Sequence, residues 1–437
     1  MPTIAELKAA ADERLFSQDF EAALPLYMQL VLAQPLNLDA RLRVADTLLG
    51  LGEAQRAAVV YTRLAQYASP AGYPLRALVA LKMLTALEPT LQPLVHSVSE
   101  LYGRDSTRLG RGARRSLPDD GESLPRGSLP PTGQRADLLA EAERLAADFA
   151  VKDALLPDKL MPIPLLSQLD KDSLARVFDC SSLVRVRPGA RVVEQGAEGG
   201  SMFVLARGTV RVERAGADGV PRELATLREG AVFGELSLLS DAPRNASVTA
   251  VTDCDLLELS LSALRDTGPA AAQLVAAVSA FAHERLLSHV MASSPMFAAL
   301  DPSQRSDLIK RFVEIEVPRG DRVITQGEQS PGAYVVLRGE VVVSHVQDAR
   351  STELARLAPG DLFGEMSLLT GDGASANVDA TQPSVLLFLA KPYFERLLAA
   401  VPELRVEIER LAGRRSLEIT RSVAPLEDDG IEVEVLL

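Results

Sequence analysis

The chain has 437 residues, of which 47% are apolar and 24% charged, with a net charge of −13. At roughly 100–200 residues per domain this length predicts about three domains, with enough apolar side chains for ordinary globular cores. The acidic balance disfavours general binding to nucleic-acid phosphates, but a small anion can still be held by a locally basic pocket.

In chain order, the N-terminus carries Glu6, Asp12 and Glu13 and does not read as a signal peptide. Residues 1–103 have helical periodicity and repeat every 34 residues. Ala11, Leu15, Ala23, Tyr27 and Leu30 recur as Ala45, Leu49, Ala57, Tyr61 and Leu64. Small and large apolar residues at steps of three and four lie on one helix face, as paired helices require. Further helices are predicted over Tyr73–Glu88 and Pro93–Tyr102. The pattern resembles tetratricopeptide repeats, although Pro25 falls early in a second helix and tryptophan is absent. A generic set of α-hairpins remains the alternative. Both imply a helical docking module for an unidentified protein partner.

Residues 104–136 hold five arginines between Arg104 and Arg115, then Ser-Leu-Pro units at Ser116, Ser123 and Ser128. Proline, glycine and scant apolar surface predict a flexible linker. A connecting helix is expected within 137–156. From 157 to 422 a second repeat has a period near 130. Gln195-Gly196 returns as Gln326-Gly327, and Phe233-Gly-Glu-Leu-Ser-Leu-Leu239 as Phe363-Gly-Glu-Met-Ser-Leu-Leu369. Each copy opens with a helix (Lys171–Phe178; Pro302–Phe312). Glycine-punctuated β runs follow, clearest at Met202–Val212 and Tyr334–His345, and a helical stretch closes each copy (Ala271–Met291; Pro392–Arg421). The predicted fold class is multidomain α and α+β, with helical hairpins followed by two β-roll or jelly-roll domains at 157–292 and 293–422. An acidic tail is expected over 423–437, and no DNA-recognition helix is expected after the second β domain. The apolar stretch Ala272–Ala282 is too short to span a bilayer. Cys180 and Cys254 are too few for a disulfide framework or thiolate zinc site and are read as buried free thiols.

The run Phe233–Ala250 resembles the phosphate-binding cassette of cyclic-nucleotide-binding domains, a family that includes protein kinase A regulatory subunits and the catabolite activator protein. Its chemistry suits a cyclic phosphate. Gly234 lets backbone approach the ligand, and a short helix after it directs free N–H groups at the anion. Arg244 supplies a charge-assisted, bidentate-capable contact. Glu235 can accept from a ribose hydroxyl. The resemblance implies backbone N–H groups at Ser237 and Asn245, within the ligand-binding set Gly234, Glu235, Leu236, Ser237, Arg244, Asn245 and Ala246. The second copy keeps Gly364, Glu365 and Ser367 but has Ala374 in place of the arginine, followed by Ser375, with Asp372 nearby. Losing a hydrogen bond to a charged group costs roughly 1.5–3 kcal/mol, so the second domain is expected to bind cyclic nucleotide weakly or not at all. Asn245 follows the arginine where, in the family, threonine favours guanine, so cAMP is expected ahead of cGMP. Phe281, His283 and Arg285 are candidates for capping the base, although an amphipathic helix accounts for each.

Kinase, P-loop, zinc-hydrolase and nucleophile-elbow motifs are not found, and the four histidines have no ligand spacing. The expectation is a cytoplasmic, non-enzymatic, metal-free and cofactor-free sensor that binds cAMP or cGMP and couples this to a protein partner through 1–103. DNA and membranes are not expected partners. The layout also resembles protein kinase A regulatory subunits, with Arg114-Arg115-Ser116-Leu117 in the linker. That string lacks the spacer residue of their inhibitory motif, and it recurs at 414–417. Ser116 is a candidate phosphorylation site. A scaffold that binds no nucleotide is the remaining alternative.

Overall fold

A computed structural model describes residues 3–88, 92–119, 121–125, 129–149, 156–215, 220–235, 243–267, 271–293, 297, 300–348 and 350–423. Two compact units are present, Met1–Ala282 and His283–Leu437.

The first unit begins with helices α1 (Ile4–Phe16), α2 (Phe20–Ala33), α3 (Leu38–Gly50), α4 (Ala54–Ala68), α5 (Pro74–Leu87) and α6 (Gln92–Tyr102). The 34-residue offset holds to the residue: α3 starts 34 after α1, and α4 starts 34 after α2. The repeated Ala11/Ala45, Ala23/Ala57, Tyr27/Tyr61 and Leu30/Leu64 are all buried. Caps repeat as well, with Thr3 and Asp19 capping α1 and α2 and Asn37 capping α3, each cap contributing about 0.5–2 kcal/mol. A polar pair also repeats. Tyr27 Oη donates to Asp12 and Tyr61 Oη to Asp46, both at 2.6 Å.

Residues 104–134 correct the expectation of a flexible linker, because the described part lies along the helices as a hydrogen-bonded strap. Arg115 N donates to the Ala71 carbonyl at 3.2 Å, Ile4 N to Glu122 at 2.9 Å, and Leu160 N to Arg108 at 2.7 Å. Leu124 is buried and Leu117 partly so, whereas Leu129 is exposed. Backbone hydrogen bonds and arginine side chains supply here what apolar composition does not. Ser128 lies outside the described residues. Helix α7 (Arg135–Ala147) then packs against α2, α3 and α4. The buried Arg41 donates to the carbonyls of Leu145 and Ala146 at 2.9 and 2.8 Å, satisfying the negative end of α7.

After α8 (Lys171–Cys180), the strands are β1 (Ser182–Val186), β2 (Arg191–Val193), β3 (Ser201–Arg207), β4 (Thr209–Ala215), β5 (Pro221–Arg228), β6 (Val232–Phe233), β7 (Ser247–Ala250) and β8 (Cys254–Ser260), with α9 (Leu261–Arg265) and α10 (Ala271–Ser293) following. They form two antiparallel sheets, ordered β1-β8-β3-β6 and β2-β7-β4-β5. Along β3, Phe203 and Leu205 enter the core between the sheets. Met202, Val204 and Ala206 join the core that the N-terminal helices build. Burial on both faces explains why β3 reads as a continuous apolar run, not an alternating one. Cys254 is buried, but Cys180 is only half-buried, which corrects that part of the thiol expectation.

The second unit repeats this topology. It holds α11 (Pro302–Ile309), β9 (Val313–Val317), β10 (Arg322–Ile324), β11 (Gly332–Arg338), β12 (Val341–Gln347), β13 (Arg350–Leu357), β14 (Leu362–Phe363), α12 (Glu365–Thr370), β15 (Asn377–Ala380), β16 (Ser384–Ala390), α13 (Lys391–Ala400) and α14 (Pro402–Val423). Its sheets, β14-β11-β16-β9 and β10-β15-β12-β13, match the first pair strand for strand. The predicted single closing helix is two helices, broken at Val401, whose place before Pro402 disfavours helical backbone. The predicted acidic tail beyond Val423 lies outside the described residues. No helix among the described residues is long and apolar enough to cross a membrane.

Candidate functional site

Strand β6 carries the chain to Gly234, where φ is +78°. Only glycine takes this conformation without strain. Arg244 comes from the segment before β7 and is placed by its own backbone. Its N–H donates to Ala197 and its carbonyl accepts from Gly196, both at 2.8 Å. The guanidinium turns towards the cassette, with Nη1 donating to the Gly234 carbonyl at 2.8 Å and Nη2 to Ser201 Oγ at 3.4 Å. A Cβ on Gly234 would lie 2.7 Å from Nη1, so the glycine is needed for closeness as well as for backbone angle.

Glu235 follows directly and is buried, as is Arg244. Burial pulls the Arg244 guanidinium below its usual pKa, opposed by the negative charges of Glu258 and Glu235. Arg244 is thus a partly desolvated cation beside the turned-in Gly234 carbonyl, with Glu258 and Glu235 as nearby negative charges. Asn245 is exposed and Ala246 half-buried at the rim. Ser247 Oγ accepts from Gln195 N at 3.0 Å, tying the Gln195-Gly196 motif to the same corner. Leu236 and Ser237 lie outside the described residues. No local sequence motif marks Ser201 or Glu258. Phe281 is buried in the first unit's core, and His283 lies 2.6 Å from Glu314, so both have other structural roles. Arg285 is half-buried.

The second copy has the same frame and different chemistry. Gly327 N donates to the Ala374 carbonyl and Ala374 N to Glu328, both at 2.8 Å, so Ala374 occupies the place of Arg244 in backbone terms. Gly364 has φ +83° and is the N-cap of α12. Ser367 Oγ accepts from Ser330 N at 3.2 Å and donates to the Asp372 carbonyl at 2.7 Å. Ser375 gives its carbonyl to His345 Nδ1 at 2.8 Å. Glu365 is 1% exposed and is met by Arg415 of α14 at 2.8 Å. Burial pushes the Glu365 carboxyl up, with Arg415 opposing the rise. Among the described residues, no group of acids, histidines and cysteines is placed to hold a metal ion.

Comparison with known proteins agrees with this duplication. A family model described as "Cyclic nucleotide-binding domain" matches residues 183–267 and 314–401. The cAMP-dependent protein kinase type II regulatory subunit of Drosophila melanogaster is 30% identical over 246 residues, covering 56% of this chain and 62% of that protein. The cGMP-dependent protein kinase egl-4 of Caenorhabditis elegans is 29% identical over 264 residues, covering 59% and 32%. The chain thus spans less than two-thirds of the length of these relatives. Among solved structures, the regulatory domain of Toxoplasma gondii PKA with cAMP is 25% identical, covering 56% of this chain and 91% of that one, at a TM-score of 0.27. The chain carries two cyclic nucleotide-binding domains in tandem, preceded by a helical region.

Proposed function

We propose that this chain is a non-enzymatic cyclic-nucleotide receptor with one functional site, in the first domain, that prefers cAMP to cGMP. The observation that carries this reading is the placement of Arg244, desolvated and turned onto Gly234. Ala374 stands at the matching position of the second domain. In the second domain Glu365 is met by Arg415 of the closing helix. The second domain is then a structural or coupling element. Its test is titration of the full-length chain with cAMP and cGMP beside Arg244→Ala. One binding event, lost in the variant, supports the reading. Two events mean that Ala374 is tolerated, and none would bring forward a scaffold role.

The output is an interaction with a protein partner. A kinase-regulatory role is the second reading, favoured by the regulatory-subunit name of the Drosophila relative. Against a substrate-like inhibitory string, Arg115 donates to Tyr67 Oη at 2.9 Å and Arg114 lies 3.6 Å from Glu229, so both arginines are engaged within the fold. Ser116 is exposed and remains a phosphorylation candidate, to be tested by intact mass after incubation with basophilic kinases.

A further inference from the structure

Glu229 stands in the turn between β5 and β6, four residues before Phe233 and five before Gly234. Two arginines from outside the nucleotide-binding domain hold it. Arg76 of α5 donates through Nε and Nη2 to Glu229 Oε2 at 3.2 and 3.1 Å. Arg114 of the strap lies 3.6 Å from Oε1. Arg76 is itself fixed by Asp39 of α3 at 2.7 Å. Burial alone would lower its pKa, but the two carboxylates outweigh this and raise it. Beyond the turn, Gly230 N donates to Leu205 and Leu205 N to Ala231, both at 2.8 Å. The gripped turn is therefore laced to β3, whose first residue, Ser201, meets Arg244 at its other end.

The second domain serves as an internal control. On the offset that aligns Gly234 with Gly364, Glu229 aligns with Pro359, which cannot make this contact. The acids Asp253 and Asp255, which hold Arg207 at the far end of β3 together with Arg43 of α3, align with Pro383 and Val385. The duplicated fold does not need these charges. They occur in the copy that carries the helical region.

We propose that Arg76 and Arg114 are positioning residues for the first domain's nucleotide site and act through Glu229 on the β6–Gly234 segment. The inference rests on the reading of Arg244 given above. Residues 1–149 are then part of the receptor and not only a docking platform. They hold the approach to the cassette in place, so that less ordering remains to be done when nucleotide binds. The grip bears on backbone and not on any base-facing group, so it changes affinity without changing base preference.

The test uses the full-length chain, with Glu229→Gln, Arg76→Ala and Arg76→Lys. In the ligand-free protein, amide exchange of residues 230–234 should accelerate in Glu229→Gln and Arg76→Ala and stay near the parent rate in Arg76→Lys. Removing one charge-assisted contact should weaken cAMP and cGMP about ten-fold alike, leaving their ratio unchanged. Unaltered exchange in Glu229→Gln overturns the proposal, as does a normal affinity for nucleotide in a variant whose exchange has accelerated. A parent chain that binds neither nucleotide defeats the reading of Arg244, while the exchange arm still decides whether the grip exists. Thermal unfolding separates both results from a general loss of the fold, because Glu229→Gln keeps the side chain's size.

Discussion

Arg415 Nη1 donates to Glu365 Oε1 at 2.8 Å and to the Leu362 carbonyl at 2.6 Å, so one arginine of α14 closes both the carboxylate and the strand that leads to it. Glu365 is the counterpart of Glu235, and the two copies have used the same acid differently. In the first it lies beside Arg244. In the second, where the arginine is absent, it is paired with the closing helix.

Arg415→Ala leaves a carboxylate that is 1% exposed without its cation. Breaking a buried pair by removing one partner costs about 3–5 kcal/mol. The cost should depend on pH. Burial already raises the folded pKa of Glu365, and without Arg415 the rise is larger. A raised acid binds its proton more tightly when folded, so stability falls as pH climbs through the folded value. Denaturant unfolding should show a larger deficit at pH 8 than at pH 5, and a deficit independent of pH would contradict the role given to Glu365. Arg415→Ala alone should not create a second nucleotide-binding event. The double variant Ala374→Arg/Arg415→Ala supplies the arginine of the first cassette and removes the second domain's own, and should create one in the titration.

Asp255 is fully buried beneath Arg207 and Arg185, at 2.7 and 3.1 Å. Burial alone would raise its carboxyl, but Arg207, Arg185 and Arg43 outweigh this and hold it well below the usual range; Asp46 is likewise lowered. For acids depressed in the folded state, the contribution is complete above the unfolded pKa, about 4, and is lost as pH falls below it. The parent chain should therefore lose first-unit stability steeply on acidification below that point. In Asp255→Asn the slope should be shallower and the starting stability about 3–5 kcal/mol lower. Parallel acid limbs in the two proteins would remove Asp255 from this account.

These charges also mark where the sequence stops being readable. Both repeats were legible because they are periodic: 34 residues in the helices, and about 130 in the β domains, where a glycine and an apolar strand recur at fixed spacing. Gly234, Glu235 and Arg244 were legible because they share one local run. Arg43 and Asp253 are 210 positions apart. Arg76 and Glu229 are 153 apart, and Arg415 and Glu365 are 50 apart. No window of sequence contains both members of such a pair. The strap is illegible in sequence for a related reason. Its composition is that of a linker, and its order comes from backbone hydrogen bonds to distant helices, which composition does not encode. The second arginine string, at 414–417, repeats the first in sequence only, and its Arg415 serves the second domain's own acid.

The repeated Tyr–Asp pair separates intrinsic from contextual strength. Tyr61→Phe removes the donor to Asp46, which is also bound by Arg43 at 2.6 Å and by Arg185 at 2.9 Å. Tyr27→Phe removes the donor to Asp12, at a more exposed position. A hydrogen bond to a charged group contributes about 1.5–3 kcal/mol. Urea unfolding should place Tyr61→Phe near the upper end and Tyr27→Phe near the lower. The reverse order would mean that the arginines, and not the tyrosine, satisfy Asp46.

Gly234→Ala tests the site with the smallest change available. At φ +78° an alanine is strained by about 1–2 kcal/mol, and its Cβ would press on Arg244 Nη1 at 2.7 Å. The guanidinium is flexible and can swing away, so the fold should survive with a modest loss of stability. The guanidinium would then no longer stand over the Gly234 carbonyl, and cAMP affinity should fall more than ten-fold, the scale of one charge-assisted contact. Gly364→Ala differs in kind. There the Cβ meets the Gly332 backbone carbonyl at 2.9 Å, which has no swing to take up the clash. That variant should lose stability in the second unit and leave the affinity of the Arg244 site unchanged. Equal losses of affinity in the two variants would mean that the copies share the ligand, and the division of labour drawn from Arg244 and Ala374 would fall.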